Sequence, residues 1–276
     1  MLRVDLPTVT AEEVFAACYA GIRSQGDLKE RLEDAEEHVI NRSNRYVYSA
    51  AQGRCGSLQS ADFQVPDVAK DEMEWLYEKR LAKKGTKPRK YYDRLKEGAR
   101  DGLCSLCGFR DAGTLDHYLI KADYPALAVN PFNLLPACWP CNTGKAASDL
   151  ETVHTYFDDF ASDTWLVAEV IEISPCVIDY RLEHPSGWDD DLKTRATNHF
   201  ELFDLAASYS KQAARQLAGI ALSLRLTHDD LGATGVRRVL ARERDSWSAV
   251  DPNSWQSALY RAASDSDWFC DGGFAR

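Results

Sequence analysis

Residues 104–145 read CSLCGFRDAGTLDHYLIKADYPALAVNPFNLLPACWPCNTGK, and this stretch decides the fold. Two Cys-x-x-Cys pairs, Cys104/Cys107 and Cys138/Cys141, bracket 30 residues. A two-residue spacer lets both sulfurs of a pair reach one ion, so two such knuckles make a closed, tetrahedral, structural zinc site. A closed site staples a fold and leaves no open position for chemistry. The polar residues inside or beside the bracket are therefore the candidates for chemistry: Asp116, His117, Asn133 and Asn142.

In order, these residues form Asp116-His117, a central Asn133, and then Cys138-x-x-Cys141-Asn142-x-x-Lys145. The pattern resembles the HNH endonucleases, the ββα-metal nucleases. The family often has Pro three residues after its His, where this chain has Ile120. The resemblance implies an α+β fold, mainly helical, with a ββα-metal core stapled by the four-cysteine zinc. It implies that His117 is the general base, that Asp116 and Asn142 hold one Mg²⁺ or Mn²⁺ ion, and that Asn133 braces the loop between the strands. Lys145 is a catalytic candidate for holding the scissile phosphate, with a solvated lysine as the plain alternative. These residue types suit the chemistry. A neutral imidazole takes a proton from water near pH 7. A carboxylate and an amide carbonyl are the oxygen ligands that Mg²⁺ takes.

Tyr124-Pro125 in the loop and Asn133-Leu134-Leu135-Pro136 before the second knuckle carry a further likeness. They are similar to the HNH subunits of Septu-type anti-phage systems, in which the nuclease partners an ATPase. That resemblance implies DNA as substrate, a role in anti-phage defence or restriction, and an ATPase partner. The alternative from a different class is a zinc-knuckle module that binds nucleic acid or protein and cuts nothing.

Upstream, residues 79–100 read KRLAKKGTKPRKYYDRLKEGAR, ten Lys/Arg against Asp93 and Glu97. The segment is +8 in a chain of net charge −10, which leaves −18 elsewhere. A polyanion-binding surface is thus expected on this segment and not over the whole protein. The block ends four residues before Cys104. Lys83, Lys84, Lys87, Arg89 and Lys90 are its candidate nucleic-acid contacts, and a solvated helical face is the plain alternative.

Further upstream, Thr10 and Glu13 have capping-box spacing and predict a helix over 10–23. A second helix is expected over 27–50, a third after Pro66 with Met73, Leu76, Tyr77 and Leu81 on its apolar face, and a fourth opened by Pro88. Strands are expected over 114–120 and 132–137, followed by a helix from Cys141 through Leu150. Downstream, 165–173 and 176–182 are rich in Val, Ile and aromatics and predict a strand pair. Helices should follow over 192–205, 206–226 and 229–247, with a last one opened by Asp251-Pro252. His154 and His199 are expected in structural roles, and Trp268 and Phe269 are expected to dock the tail.

The expected domains are an N-terminal helical region over 1–85, a nuclease domain over 86–155, and a C-terminal β-hairpin with helices over 156–276. The chain is 45% hydrophobic, which suffices for real cores. No apolar run has the length of a membrane span, and the first 15 residues lack a signal-peptide apolar region, so a cytoplasmic protein is expected. Cys18, Cys55, Cys176 and Cys270 are then expected as buried thiols.

Overall fold

A computed structural model describes residues 1–23, 26–144 and 151–275. The protein is α+β and mainly helical, with two small antiparallel sheets. The chain divides into two compact units, Met1–Asp159 and Phe160–Arg276. The first unit spans both the N-terminal helices and the cysteine stretch, which composition alone parts at residue 85.

In the first unit, helix α1 (Ala11–Tyr19) opens on the capping box read from Thr10 and Glu13. The Thr10 side chain accepts from the Glu13 amide, and the Glu13 carboxylate accepts from the Thr10 amide. The helix expected over 27–50 is two helices, α2 (Leu28–Asp34) and α3 (Glu36–Ala51), divided at Ala35. Nothing in the sequence marks that break. Arg31 on α2 pairs with Glu72 and Asp27 and donates to the Asp67 carbonyl. It thereby joins α2 to helix α4 (Lys70–Leu76).

Helix α4 runs directly into a π-helical turn, Tyr77–Leu81. Such turns recur at functional sites because they shift side chains out of α-helical register. Pro88 then leads into α5 (Arg89–Glu97), which places Tyr92 and Leu95 in the interior. Phe15, Leu32, Tyr46, Phe63, Met73, Leu76 and Leu81 are all fully buried and form the core under these helices.

Strand β1 (Thr114–His117) pairs antiparallel with β2 (Leu134–Ala137), with His117 opposite Leu134 and Asp116 opposite Leu135. The chain then enters α6 (Trp139–Gly144). Both strands are shorter than their apolar runs. Past His117 the Asn133 side chain takes over from the ladder: Oδ1 accepts from the Leu119 amide at 2.8 Å, and Nδ2 donates to the Leu119 carbonyl at 2.9 Å. Pro136 lies opposite Leu115, where the Leu115 amide points away from β2 to the Tyr92 hydroxyl. The missing N–H of Pro136 therefore costs no ladder bond. Helices α5 and α6 both pack against β1.

The second unit begins with a hairpin, β3 (Leu166–Ile171) and β4 (Val177–Leu182), as its β-branched runs predict. Asp189 caps α7 (Asp190–Leu202) by accepting from the Leu192 amide. Helix α8 (Leu205–Val250) is interrupted at Gly232, where φ is 63° and ψ is −167°. Only glycine adopts that backbone without strain. Leu224 before the break and Val236 and Leu240 after it join one buried cluster with Tyr260, Phe269 and Cys270. Helix α9 (Trp255–Asp265) is capped by Ser254, not by Asp251, whose carboxylate accepts instead from the Asn253 amide. Helix α10 (Asp267–Cys270) docks the aromatic tail through buried Phe269. Among the described residues no helix is long and apolar enough to cross a membrane.

Candidate metal centre

The first knuckle is a tight reversal. The Cys104 amide donates to the Arg110 carbonyl, and the Gly108 amide donates to the Cys104 carbonyl. Gly108 makes this turn possible at φ 71°, a left-handed conformation that costs a side-chain-bearing residue about 1–2 kcal/mol. The second knuckle closes where the Asn142 amide donates to the Cys138 carbonyl at the start of α6. Ser105 joins the two, donating from both its amide and its hydroxyl to the Pro136 carbonyl.

Cys104, Cys107, Cys138 and Cys141 are thereby brought together in the interior, with all four sulfurs within 4.8 Å of one another. The Cys107 and Cys138 sulfurs lie 3.9 Å apart. A tetrahedron with Zn–S bonds of 2.3 Å has edges of about 3.8 Å, so one zinc ion fits with sub-ångström adjustment.

The electrostatics fit a cation as well. Hydrogen bonds with Cys104, then with Cys138 and Cys141, push the Cys107 thiol far below its usual range. Cys138 falls to about 7, chiefly through its hydrogen bond with Cys104. The same contacts push Cys104 and Cys141 up, because the cluster cannot hold four anions unaided. Burial alone would lower Arg110, but the charge on Cys107 and a hydrogen bond with Cys138 outweigh it and hold its guanidinium charged. Arg110 would offset part of the net negative charge that four thiolates leave on a bound Zn²⁺.

By contrast, Cys18 and Cys270 are buried thiols, and Cys176 is half-buried. Burial pushes Cys18 up to about 12. Elemental analysis of the purified protein should find about one zinc per chain, held through mild EDTA because the site is soft and closed. Folded, zinc-free protein would remove the assignment.

Beside this cluster, Asp116 and His117 stand next to each other on β1, and Asn142 stands on α6, which packs against that strand. Asp116 is buried, at 5% exposure. His117 is half-buried, its ring edge-on to Tyr77 at a centroid distance of 4.5 Å. Its Nε2 lies 2.8 Å from the Ala128 carbonyl. A carbonyl only accepts, so Nε2 carries the proton, and the lone pair of the neutral ring is on Nδ1.

The Asn142 Nδ2 donates to the Thr114 hydroxyl at 3.1 Å and the Leu115 carbonyl at 3.3 Å. Its Oδ1 is the kind of oxygen that a hard cation takes. Asn133 is fully buried and ties Leu119 to Leu127, donating to the Leu127 carbonyl at 3.4 Å. Ala128, the partner of His117, follows directly on that tie. Lys145 lies outside the described residues.

Two further residues meet this strand: Tyr77, which periodicity places on an apolar helix face, and Tyr92, which the sequence reads as helix core in preference to a base-stacking ring. Tyr92 accepts from the Leu115 amide at 3.2 Å, and the Tyr77 hydroxyl lies 3.5 Å from the Leu115 carbonyl. Together with Asn142 they close the outer edge of β1. Burial, then Tyr92, then the Asp116 carboxylate push the Tyr77 phenol up, so it stays neutral beside that carboxylate. The aromatic spacing in the sequence was the one available signal. It did not separate core from site, because these side chains serve as both.

Lys83, Lys84, Lys87 and Lys90 are exposed. Arg89 differs. Its guanidinium pairs with Asp93, donates to the Ala82 carbonyl and stacks on Tyr92 at 4.2 Å, so it joins α5 to the preceding turn. His154 is buried, with Nε2 2.9 Å from the Tyr46 hydroxyl and Nδ1 accepting from the Tyr156 amide, a structural role.

No family model matches the chain, and no solved structure matches it. It is similar to protein ea31 of Escherichia phage lambda, with 28% identity over 237 residues, covering 80% of this chain and 79% of that protein. A distant phage relative and a buried four-cysteine site that fits zinc are therefore what the chain has in common with known proteins and known chemistry.

Proposed function

We propose that the Met1–Asp159 unit is a metal-dependent HNH-type endonuclease that hydrolyses phosphodiester bonds in DNA. One observation supports this: Asp116 and His117 lie on β1, Asn142 lies on the α6 that packs against it, and the cysteine set is complete without them. His117 is the general base. The Ala128 carbonyl holds its Nε2 proton, so Nδ1 is the atom that takes a proton from the attacking water. Tyr77 limits rotation of the ring from one side. Asn133 steadies the loop that presents Ala128.

The Asp116 carboxylate and the Asn142 Oδ1 are the oxygens that would hold Mg²⁺ or Mn²⁺. When bound, that ion offsets the charge that builds on the phosphate and the leaving 3′ oxygen. Lys145 is proposed as a contact to the scissile phosphate. Supercoiled plasmid should be cut in Mg²⁺ or Mn²⁺ and left intact in EDTA. Intact plasmid under all metal conditions, with DNA still bound, would leave the zinc-knuckle binding module.

The resemblance of the loop and second knuckle to Septu-type subunits supports a role in anti-phage defence or restriction beside an ATPase subunit. Co-purification with an ATPase encoded next to it tests that part alone.

The exposed lysines supply the phosphate contacts. Replacing Lys83, Lys84, Lys87 and Lys90 with Gln should weaken duplex binding and reduce the log–log salt slope by roughly 0.9 for each phosphate that is no longer neutralised. Arg89 is left unchanged in that variant, because its substitution would loosen α5. A slope equal to wild type would assign these lysines to solvent.

A further inference from the structure

The chain has seven tryptophans, and Trp139 alone is exposed, at 67%. It sits in the second knuckle with Pro140, which is also exposed. The residues on either side of this pair, Cys138 and Cys141, are buried in the sulfur cluster. The Trp139 carbonyl also accepts from the Thr143 hydroxyl at 2.9 Å. The backbone is thus pinned at both ends of the pair. A large aromatic held out in water on a rigid tip is a ready contact surface, since little side-chain freedom is lost on binding.

Its position narrows the partner. Trp139 begins α6, three residues before Asn142, and α6 packs against the strand that carries Asp116 and His117. Helix α5, at the end of the exposed lysine run, packs against the same strand. A flat apolar ring and a run of exposed lysines, each on or next to a helix that packs against β1, match the two chemistries of a nucleic-acid strand, a stacked base and a charged backbone.

We propose that Trp139 is a stacking platform for an unpaired DNA base next to the site of cleavage; this rests on the nuclease function proposed above. An intact duplex offers base edges in its grooves, while the faces of its bases are already stacked. The favoured ligand is therefore a single-stranded segment.

The test compares wild type, Trp139→Ala and Trp139→Phe. Binding of a labelled single-stranded oligonucleotide and of a blunt duplex is measured by anisotropy without divalent metal. Loss of one base stack should weaken single-strand binding roughly 5- to 150-fold in Trp139→Ala. Trp139→Phe, which keeps an aromatic face, should recover most of that loss. Duplex affinity should stay near wild type, and the salt slope should not change, because every phosphate-binding cation is retained. The single strand should also quench wild-type tryptophan emission, and the quench should be absent in Trp139→Phe, which reports on Trp139 even if the Ala variant folds poorly.

Wild-type single-strand affinity in Trp139→Ala, an equal loss on duplex, or quenching that persists in Trp139→Phe would each overturn the platform and leave the nuclease intact. Wild-type protein that binds neither DNA would instead overturn the nuclease reading, and the platform with it.

Discussion

His117→Ala is expected to fold, keep its zinc and bind DNA, yet cleave about 10²- to 10⁴-fold more slowly, the usual worth of a general base. The expectation is specific because His117 stands at the end of β1 and outside the sulfur cluster. It is half-buried, and its ring meets the Ala128 carbonyl and the Tyr77 ring edge. Removing the ring takes a donor from the Ala128 carbonyl and leaves the backbone pairing of β1 with β2 in place. Asn142→Ala should behave differently. It removes one of two donors to the Leu115 carbonyl and a proposed cation oxygen, so it should raise the Mg²⁺ or Mn²⁺ concentration needed for half-maximal cleavage. Plasmid cleavage by each purified variant, titrated with metal, separates the two. Cleavage by His117→Ala at the wild-type rate would reject the catalytic role and leave a binding protein.

Cys138→Ser should fail by another route. It opens a buried four-sulfur set, and the hydroxyl is a poorer partner for a soft ion. Zinc should fall from about one per chain towards zero. Loss of a structural metal belongs to the mutations that cost more than about 4 kcal/mol. In a domain of this size each kcal/mol moves the melting temperature by about 2–4 °C, so a drop of roughly 8 °C or more is expected. The damage should be local first. Ser105 and the Leu2 amide meet at the first knuckle, and β2 runs directly into the second, so limited proteolysis should cut near both knuckles before it reaches α3. Unchanged zinc content and melting temperature in Cys138→Ser would sink the assignment. Because His117→Ala should keep both quantities, the pair distinguishes a chemical role from a structural one.

Local signals in the sequence were enough wherever the chemistry is local. The spacing of Cys104, Cys107, Cys138 and Cys141 predicts a metal cluster, because two knuckles have one way to share an ion, and the structure brings the four sulfurs together. Thr10 and Glu13 predict the start of α1 because a capping box is complete within four residues. The alternating and β-branched runs after residue 160 predict the β3–β4 hairpin. The net charge of residues 79–100 is likewise legible without coordinates.

What depends on distant residues was not legible. Arg89 reads as one more cation in a basic run, but Asp93, the Ala82 carbonyl and the Tyr92 ring engage it in the fold. Tyr77 and Tyr92 share helical spacing with ordinary core residues. Only the packing of α5 and the π turn onto β1 shows that they close its edge and meet His117. Trp139 is a spacer residue in the knuckle motif, and exposure is a property of the folded surface, which spacing does not encode. By itself the sequence determined the cysteine cluster, the cap of α1 and the β3–β4 hairpin, since each is set by neighbours along the chain. Tertiary structure alone decided which proton His117 holds, which cations are spent inside the fold and which aromatic is left in water, because each depends on groups that only folding brings into contact.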